Sequence, residues 1–411
     1  MDSREPRRQR LPASLALIAF GVLGFSIALP NLPYQDHERL QDVLRADLKA
    51  GAAAHDHLRL AEAEAHYRHA VRAAEASRAA TTYEPALHAM VLVRLGHALE
   101  SQGRIREAER CYRNALELHR RGGNPYDEGA VEPLSRLSGL YDSMGDVASA
   151  GKCRHAIDAV VARVEPIHVR EIELQRTIEG ADPLVLADKL MGLANLYDAR
   201  GDAAGADSLC REAFAIRSAR AAGTDLEVLA PLVRMGLAKA ERNENAAAGE
   251  ILRETLALRE ASDGPASPLL IRNLHDLGAL AYRDGRLEEA DSLLTRALAI
   301  VEEHLGRDAY YAAPILSELA ECALERERFA SARSYQTRVV RIHRRVFGEA
   351  TAPVGAALLA LAEIEEAAGD RPRAREICRE ALSQLTRAVG PNDPVMLDCE
   401  SAMLRLTRWL G

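Results

Sequence analysis

Aromatic residues supply only 4% of this 411-residue sequence, with one tryptophan and five phenylalanines. A large aromatic-filled core is thereby excluded, and a 48% hydrophobic content suits many small helix–helix contacts instead. Lysine is almost missing: of 53 basic residues only Lys49, Lys152, Lys189 and Lys239 are lysine, leaving 49 arginines. There is no basic stripe, and a net charge of −8 gives no reason to expect a nucleic-acid partner. The six cysteines (Cys111, Cys153, Cys210, Cys322, Cys378, Cys399) form no Cys-x-x-Cys pair, which argues against a zinc motif, a redox dithiol or a disulfide framework.

Catalytic signatures are missing too. The chain has no glycine-rich phosphate loop, His-Glu-x-x-His helix, nucleophile elbow or kinase motif, and no carboxylate pair stands apart from the solvated acids of amphipathic helices. A non-catalytic protein without a cofactor is therefore expected. Of the thirteen histidines the densest group is His55, His57, His66 and His69. His66 and His69 share a helix face and could hold a metal with His55 or His57, but no supporting carboxylate is evident, so packing is the expected role.

One uncharged run stands out, "LPASLALIAFGVLGFSIALP", Leu11 to Pro30, directly after Arg4, Arg7, Arg8 and Arg10. Residues 11–33 read as a signal anchor or transmembrane helix, with a cleaved signal peptide as the alternative. Arginines before it and Asp36 and Glu38 after it would leave residues 1–10 in the cytoplasm. The expectation is a single-pass membrane protein with extracytoplasmic repeats, or else a periplasmic or secreted one.

What the chain has in abundance is repetition. "GRLEEADSLLTRAL" at Gly285 recurs as "GRIREAERCYRNAL" at Gly103, "GDVASAGKCRHAI" at Gly145, "GDAAGADSLCREAF" at Gly201 and "GDRPRAREICREAL" at Gly369. Its alanine falls at 63, 108, 150, 206, 248, 290, 332 and 374, giving spacings of 45, 42, 56, 42, 42, 42 and 42. Twelve residues before each alanine lies a small residue: Gly51, Gly96, Ser138, Ala194, Gly236, Gly278, Ala320 and Ala362. A close crossing of two small sites, Gly278 against Ala290, is expected in each pair. Each turn glycine lies five residues before its alanine and suits a left-handed helix end, whereas Leu58 and Glu327 imply another geometry or strain. Prolines such as Pro85, Pro183 and Pro353 mark the starts of the first helices.

The Leu-x-x-Leu-Gly/Ala-x-x-Tyr pattern, the turn glycine and the paired alanines resemble tetratricopeptide repeats, and the 42-residue period is similar to that of the kinesin-light-chain type. The resemblance implies an all-α fold, a right-handed α-solenoid of antiparallel helix pairs, over residues 36–411. Residues 36–80 read as an N-terminal capping repeat and 81–393 as the tandem array. The 14 extra residues within about 157–182 read as a lengthened or inserted helix broken near Pro166. Residues 394–411 read as a C-terminal capping helix, with Trp409 over the last core.

The resemblance also implies a binding groove lined by residues that flank each small site. Carried over, these are Glu132, Asp142, Asp188, Asn195, Asp198, Arg272, His275, Arg283, Glu321, Glu325, Glu363 and Glu366, together with Glu100 and Glu241. Ten acids against two arginines point to a protein or peptide partner with basic residues. A carboxylate-holding clamp of the chaperone type would need lysines there and is not expected. The functional expectation is a non-catalytic interaction scaffold; the alternative is a sensor or regulatory component of a membrane signalling system.

Overall fold

A computed structural model describes residues 34–79, 83–122, 127–220, 229–242, 244–388 and 394–407, and within these the chain forms seventeen α-helices and no strand. The first helices of successive pairs are α1 (Tyr34–Asp56), α3 (Pro85–Ser101), α5 (Val131–Ser143), α7 (Pro183–Arg200), α9 (Leu229–Glu241), α11 (Ile271–Arg283), α13 (Ala312–Glu325) and α15 (Ala352–Ala367). Their partners are α2 (Leu60–Ala76), α4 (Ile105–Arg121), α6 (Val147–Thr177), α8 (Ala203–Arg220), α10 (Asn245–Asp263), α12 (Leu287–Leu305), α14 (Phe329–Phe347) and α16 (Arg371–Ala388). α17 (Pro394–Thr407) packs on the last pair. Each helix packs on its neighbours in sequence, so the antiparallel pairs stack into an α-solenoid.

Helix starts and stops follow from local chemistry. Pro85 and Pro183 open α3 and α7, where an N–H would have no intrahelical partner. At the other end of the first helices, Gly103, Gly145, Gly201, Gly285 and Gly369 take φ between 72° and 87°. The Gly285 N–H donates to the Tyr282 carbonyl at 2.9 Å and the Arg286 N–H to the Ala281 carbonyl at 2.9 Å, closing the helix with a paired 5→2 and 6→1 bond. Leu58 and Glu327 keep the same two bonds at φ of 55° and 54°. They accept the strain, on the order of 1–2 kcal/mol for an L-residue. Asn243, which takes the turn glycine's place five residues before Ala248, lies outside the described residues.

Packing within a pair differs from the expected crossing of two small residues. A Cβ placed on Gly278 would stand 2.7 Å from Leu294 Cγ, not against Ala290. Gly51 meets Tyr67, Gly96 meets Tyr112 and Gly236 meets Leu252 in the same way. The small residue is thus a hole for a large side chain four residues after the alanine. The alanines themselves are buried, Ala290 completely, and let the helix lie flat on its partner. Ser138 fills the same position in the third repeat, where its hydroxyl donates to the Ala150 carbonyl at 3.4 Å.

The long spacing in the third repeat is taken up by helix. α6 has 31 residues against 17 in α4, and 31 − 17 equals the 14 extra residues. The expected break at Pro166 does not occur. Proline removes one donor there, but buried Val160, Val161 and Val164 before it and Ile172 after it hold the helix on its neighbours.

The expected membrane topology is corrected: among the described residues no helix is long and apolar enough to cross a membrane. The Leu11–Pro30 run on which that expectation rested lies outside the described residues, as does Trp409.

The solenoid coils far enough for its two edges to meet. The turns of the first three repeats lie against loops that join the sixth, seventh and eighth. A Cβ on Gly103 would stand 2.8 Å from Val346, and one on Gly145 2.6 Å from the Ala352 side chain. The Ser101 hydroxyl donates to the Tyr311 hydroxyl at 3.3 Å. Leu58 is buried in one apolar cluster with residues of the later repeats, which is the physical reason a leucine occupies that strained turn.

Candidate functional site

The expected groove residues all lie on the first helices of the pairs, and the arginine-rich composition decides how charged those positions are. Most of their acids are already answered. Asp142 pairs with Arg154 Nη1 at 2.7 Å, Asp188 with Arg217 Nη2 at 2.6 Å, and Asp198 with Arg234. Glu132 lies 3.7 Å from Arg94 and Glu366 3.7 Å from Arg405. Asn195 and Arg283 are exposed on α7 and α11, and the Glu241 side chain lies outside the described residues. Arg272 is spent on Asp276, with Nε and Oδ2 2.9 Å apart.

His275 stands between two acids, with Nε2 3.2 Å from Glu318 Oε1 and Nδ1 3.8 Å from Asp276 Oδ1. Burial disfavours its proton, but the Asp276 and Glu318 carboxylates beside it prevail and hold its pKa up to about 9. It therefore ties α11 to α13 as a cation and does not project freely into the groove.

The acids left over gather in one place. Glu321, Glu325 and Glu363, on α13 and α15, are in no ion pair among the described residues. Glu321 and Glu363 line a cavity of about 650 Å³ at the seam between the coil's two edges. Glu100, at the end of α3, lines it from the opposite side and accepts the Tyr112 hydroxyl at 2.6 Å. α13 and α15 line it with the small residues Ala313, Ala320, Ala356, Ala357 and Ala360. Tyr310, Tyr311 and Phe347 line it as well.

Among the described residues no lysine or arginine lines this cavity. Its two imidazoles are uncharged: burial, with Arg136, His55 and Arg94 nearby, takes His97 down to about 2, and burial lowers His343 despite its bond to the Pro353 carbonyl. Burial also raises the carboxyls of Glu321, reinforced by Glu318, and of Glu363, where Arg405 opposes it and Asp398 and Glu366 add to it. The three carboxylates are a concentration of negative charge in a largely apolar lining.

The histidine group named from sequence divides. His66 and His69 share the Asp47 carboxylate, the first at 2.8 Å, while His55 stacks on His97 with centroids 4.5 Å apart. His57 is exposed, and among the described residues no group of three or more His, Cys, Asp or Glu is placed to hold a metal ion. All six cysteines are free, five buried and Cys111 half-buried.

The tetratricopeptide repeat profile matches residues 87–151, 227–303 and 311–387, and a second tetratricopeptide repeat profile matches 186–225. This chain belongs to the tetratricopeptide repeat family. Its repeats recur mostly at 42 residues, and a repeat array of this family supports a protein-interaction scaffold. Among solved structures it is similar to a putative kinesin light chain with nearly identical TPR-like repeats from Podosopora anserina, at 21% identity over 51% of this chain and 98% of that one (TM-score 0.45). BtubC (BKLC) from P. vanneervenii is 19% identical over 55% of this chain and 91% of its own (TM-score 0.47). A Rap protein, solved in complex with Competence and Sporulation Factor, matches 90% of this chain and 98% of its own at 12% identity (TM-score 0.50), a likeness of fold. None of the curated proteins matches.

Sequence reasoning named Glu321 and Glu363 but missed the seam residues Tyr310, Tyr311, Ser101 and Ser143, because repeats as far as five apart have no sequence signal for contact. One clue was available: Tyr310-Tyr311 is the only tyrosine pair in an aromatic-poor chain, and it falls in a loop.

Proposed function

We propose that the protein is a non-catalytic scaffold whose concave face binds a basic segment of a partner protein. The single observation that carries this is the set of three carboxylates, Glu321, Glu363 and Glu100, around one cavity that no lysine or arginine among the described residues lines. Elsewhere on that face arginines from neighbouring helices neutralise the acids, so the carried-over groove residues reduce to a shorter acidic segment on α13 and α15. Unpaired acids on a concave wall attract a complementary partner and speed its encounter.

The test is the binding of basic, neutral and acidic peptide pools to the full chain at low and high salt, read by fluorescence anisotropy. Preferential retention of basic peptides that weakens with salt supports the reading. Equal retention of all pools, or a salt-independent affinity for the basic pool, overturns it.

A further inference from the structure

The cavity differs from the rest of the concave face in more than charge. Its lining combines alanines with Tyr310, Tyr311 and Phe347, and its acids come from repeats that sequence places far apart: Glu321 and Glu363 from the seventh and eighth, Glu100 from the second. We propose that this cavity is the seat of an arginine side chain of the bound segment, and that an occupant there ties the two edges of the coil together. The inference rests on the acidic-face reading above and names its ligand.

An arginine fits each part of this lining for a separate reason. Its methylene stem is apolar and matches Ala313, Ala356 and Ala360. Its guanidinium is planar and weakly hydrated, so it stacks on rings such as Tyr310 and Phe347 and forks onto carboxylates. A lysine ammonium matches the charge but not the ring stacking or the fork. The volume of about 650 Å³ exceeds one side chain and leaves space for residues flanking it. Partial desolvation raises both carboxyls, although Arg405 opposes it at Glu363, and both residues stay exposed to an incoming guanidinium. Because Glu100 belongs to the second repeat, an occupant engaging all three acids spans the seam that Ser101 and Tyr311 already bridge.

The experiment is a random-peptide display selection on the immobilised full chain and, in parallel, on its Glu321→Gln/Glu363→Gln variant. The best peptide is then titrated by fluorescence anisotropy with its arginine kept, replaced by lysine, or replaced by citrulline, the neutral isostere. Circular dichroism melting verifies that the variant is folded. The expected result is one enriched arginine position on the native chain only. Citrulline should weaken binding about tenfold or more, and should make no further difference on the Gln variant. Selected peptides lacking arginine, arginine peptides that ignore the Gln pair, or equal affinity for lysine would overturn the arginine seat and leave the scaffold reading standing. If neither chain retains any peptide, the acidic-face reading itself falls.

Discussion

Gly103 and Val346 meet across the seam of the coil: any side chain at Gly103 would begin 2.8 Å from Val346 Cγ2, although 243 residues separate the two (346 − 103). Gly285 has nearly the same φ, 72° against 76°, and nothing within 4 Å. The pair separates backbone strain from seam contact. Gly285→Ala should cost about 1–2 kcal/mol in chemical denaturation, the left-handed penalty alone. Gly103→Ala should cost more and should also increase the radius of gyration in small-angle scattering. Equal costs and equal radii would mean that the edges do not touch.

Leu58 and Glu327 share one strained turn but differ in what replacing them loses. Glu327 is exposed, so Glu327→Gly only relieves strain and should stabilise the fold by about 1 kcal/mol. Leu58 is 8% exposed, and Leu58→Gly gives up a buried leucine, typically worth about 2–5 kcal/mol, for the same relief. Thermal melting should move in opposite directions for the two variants.

Glu321 and Glu363 remain exposed, but partial desolvation raises both carboxyls above the ordinary range, against Arg405 at Glu363. An acid whose pKa is raised by folding binds its proton more tightly in the native state, so its charged form opposes folding at neutral pH. Glu321→Gln and Glu363→Gln should therefore melt no lower than the native chain at neutral pH. Any gain should vanish as pH falls through the raised pKa values. A clear loss of stability in either variant at neutral pH would show that a hidden cation already answers the carboxylate.

How far the fold was legible in the sequence depends on distance along the chain. The turn glycines, the capping prolines and the hole at Gly278 act within one helix pair, so a 42-residue period exposes them. The occupant of that hole was misjudged because alanine and the residue four positions on share a helix face, and only geometry selects Leu294. Charge on the concave face was misjudged for a similar reason. Asp188 and Arg217 lie 29 residues apart on different helices, and counting acids in one helix at a time overlooks the arginine that neutralises each. The seam had one local signature, the Tyr310-Tyr311 pair, and nothing that names its partner across the coil.

Packing within a pair gives a test of the corrected hole-and-knob arrangement. Gly278→Ala would bring a Cβ to 2.7 Å from Leu294 and should cost about 1–3 kcal/mol by overpacking. Combined with Leu294→Ala it should cost less than the two separate changes added together, because the second removes what the first collides with. Ala290→Leu should also cost about 1–3 kcal/mol, since Ala290 is fully buried, but without rescue by Leu294→Ala of the same size.

His275 supplies the pH test. Its pKa is raised to about 9 by Asp276 and Glu318 against the effect of burial, and Arg272, itself bonded to Asp276, is the other charge on that helix face. A histidine whose pKa rises on folding contributes stability fully below its unfolded value near 6.5 and loses it as pH climbs through the folded value. The native chain should therefore lose melting temperature between about pH 6.5 and pH 9, and His275→Gln should be less stable than the native chain at the acidic end of that window while converging on it at the alkaline end. A native melting curve that is flat across the window, or a His275→Gln gap that widens toward alkaline pH, would contradict a charged histidine joining α11 to α13. The same titration followed by NMR at the His275 ring gives the folded pKa directly, independent of any change elsewhere in the coil.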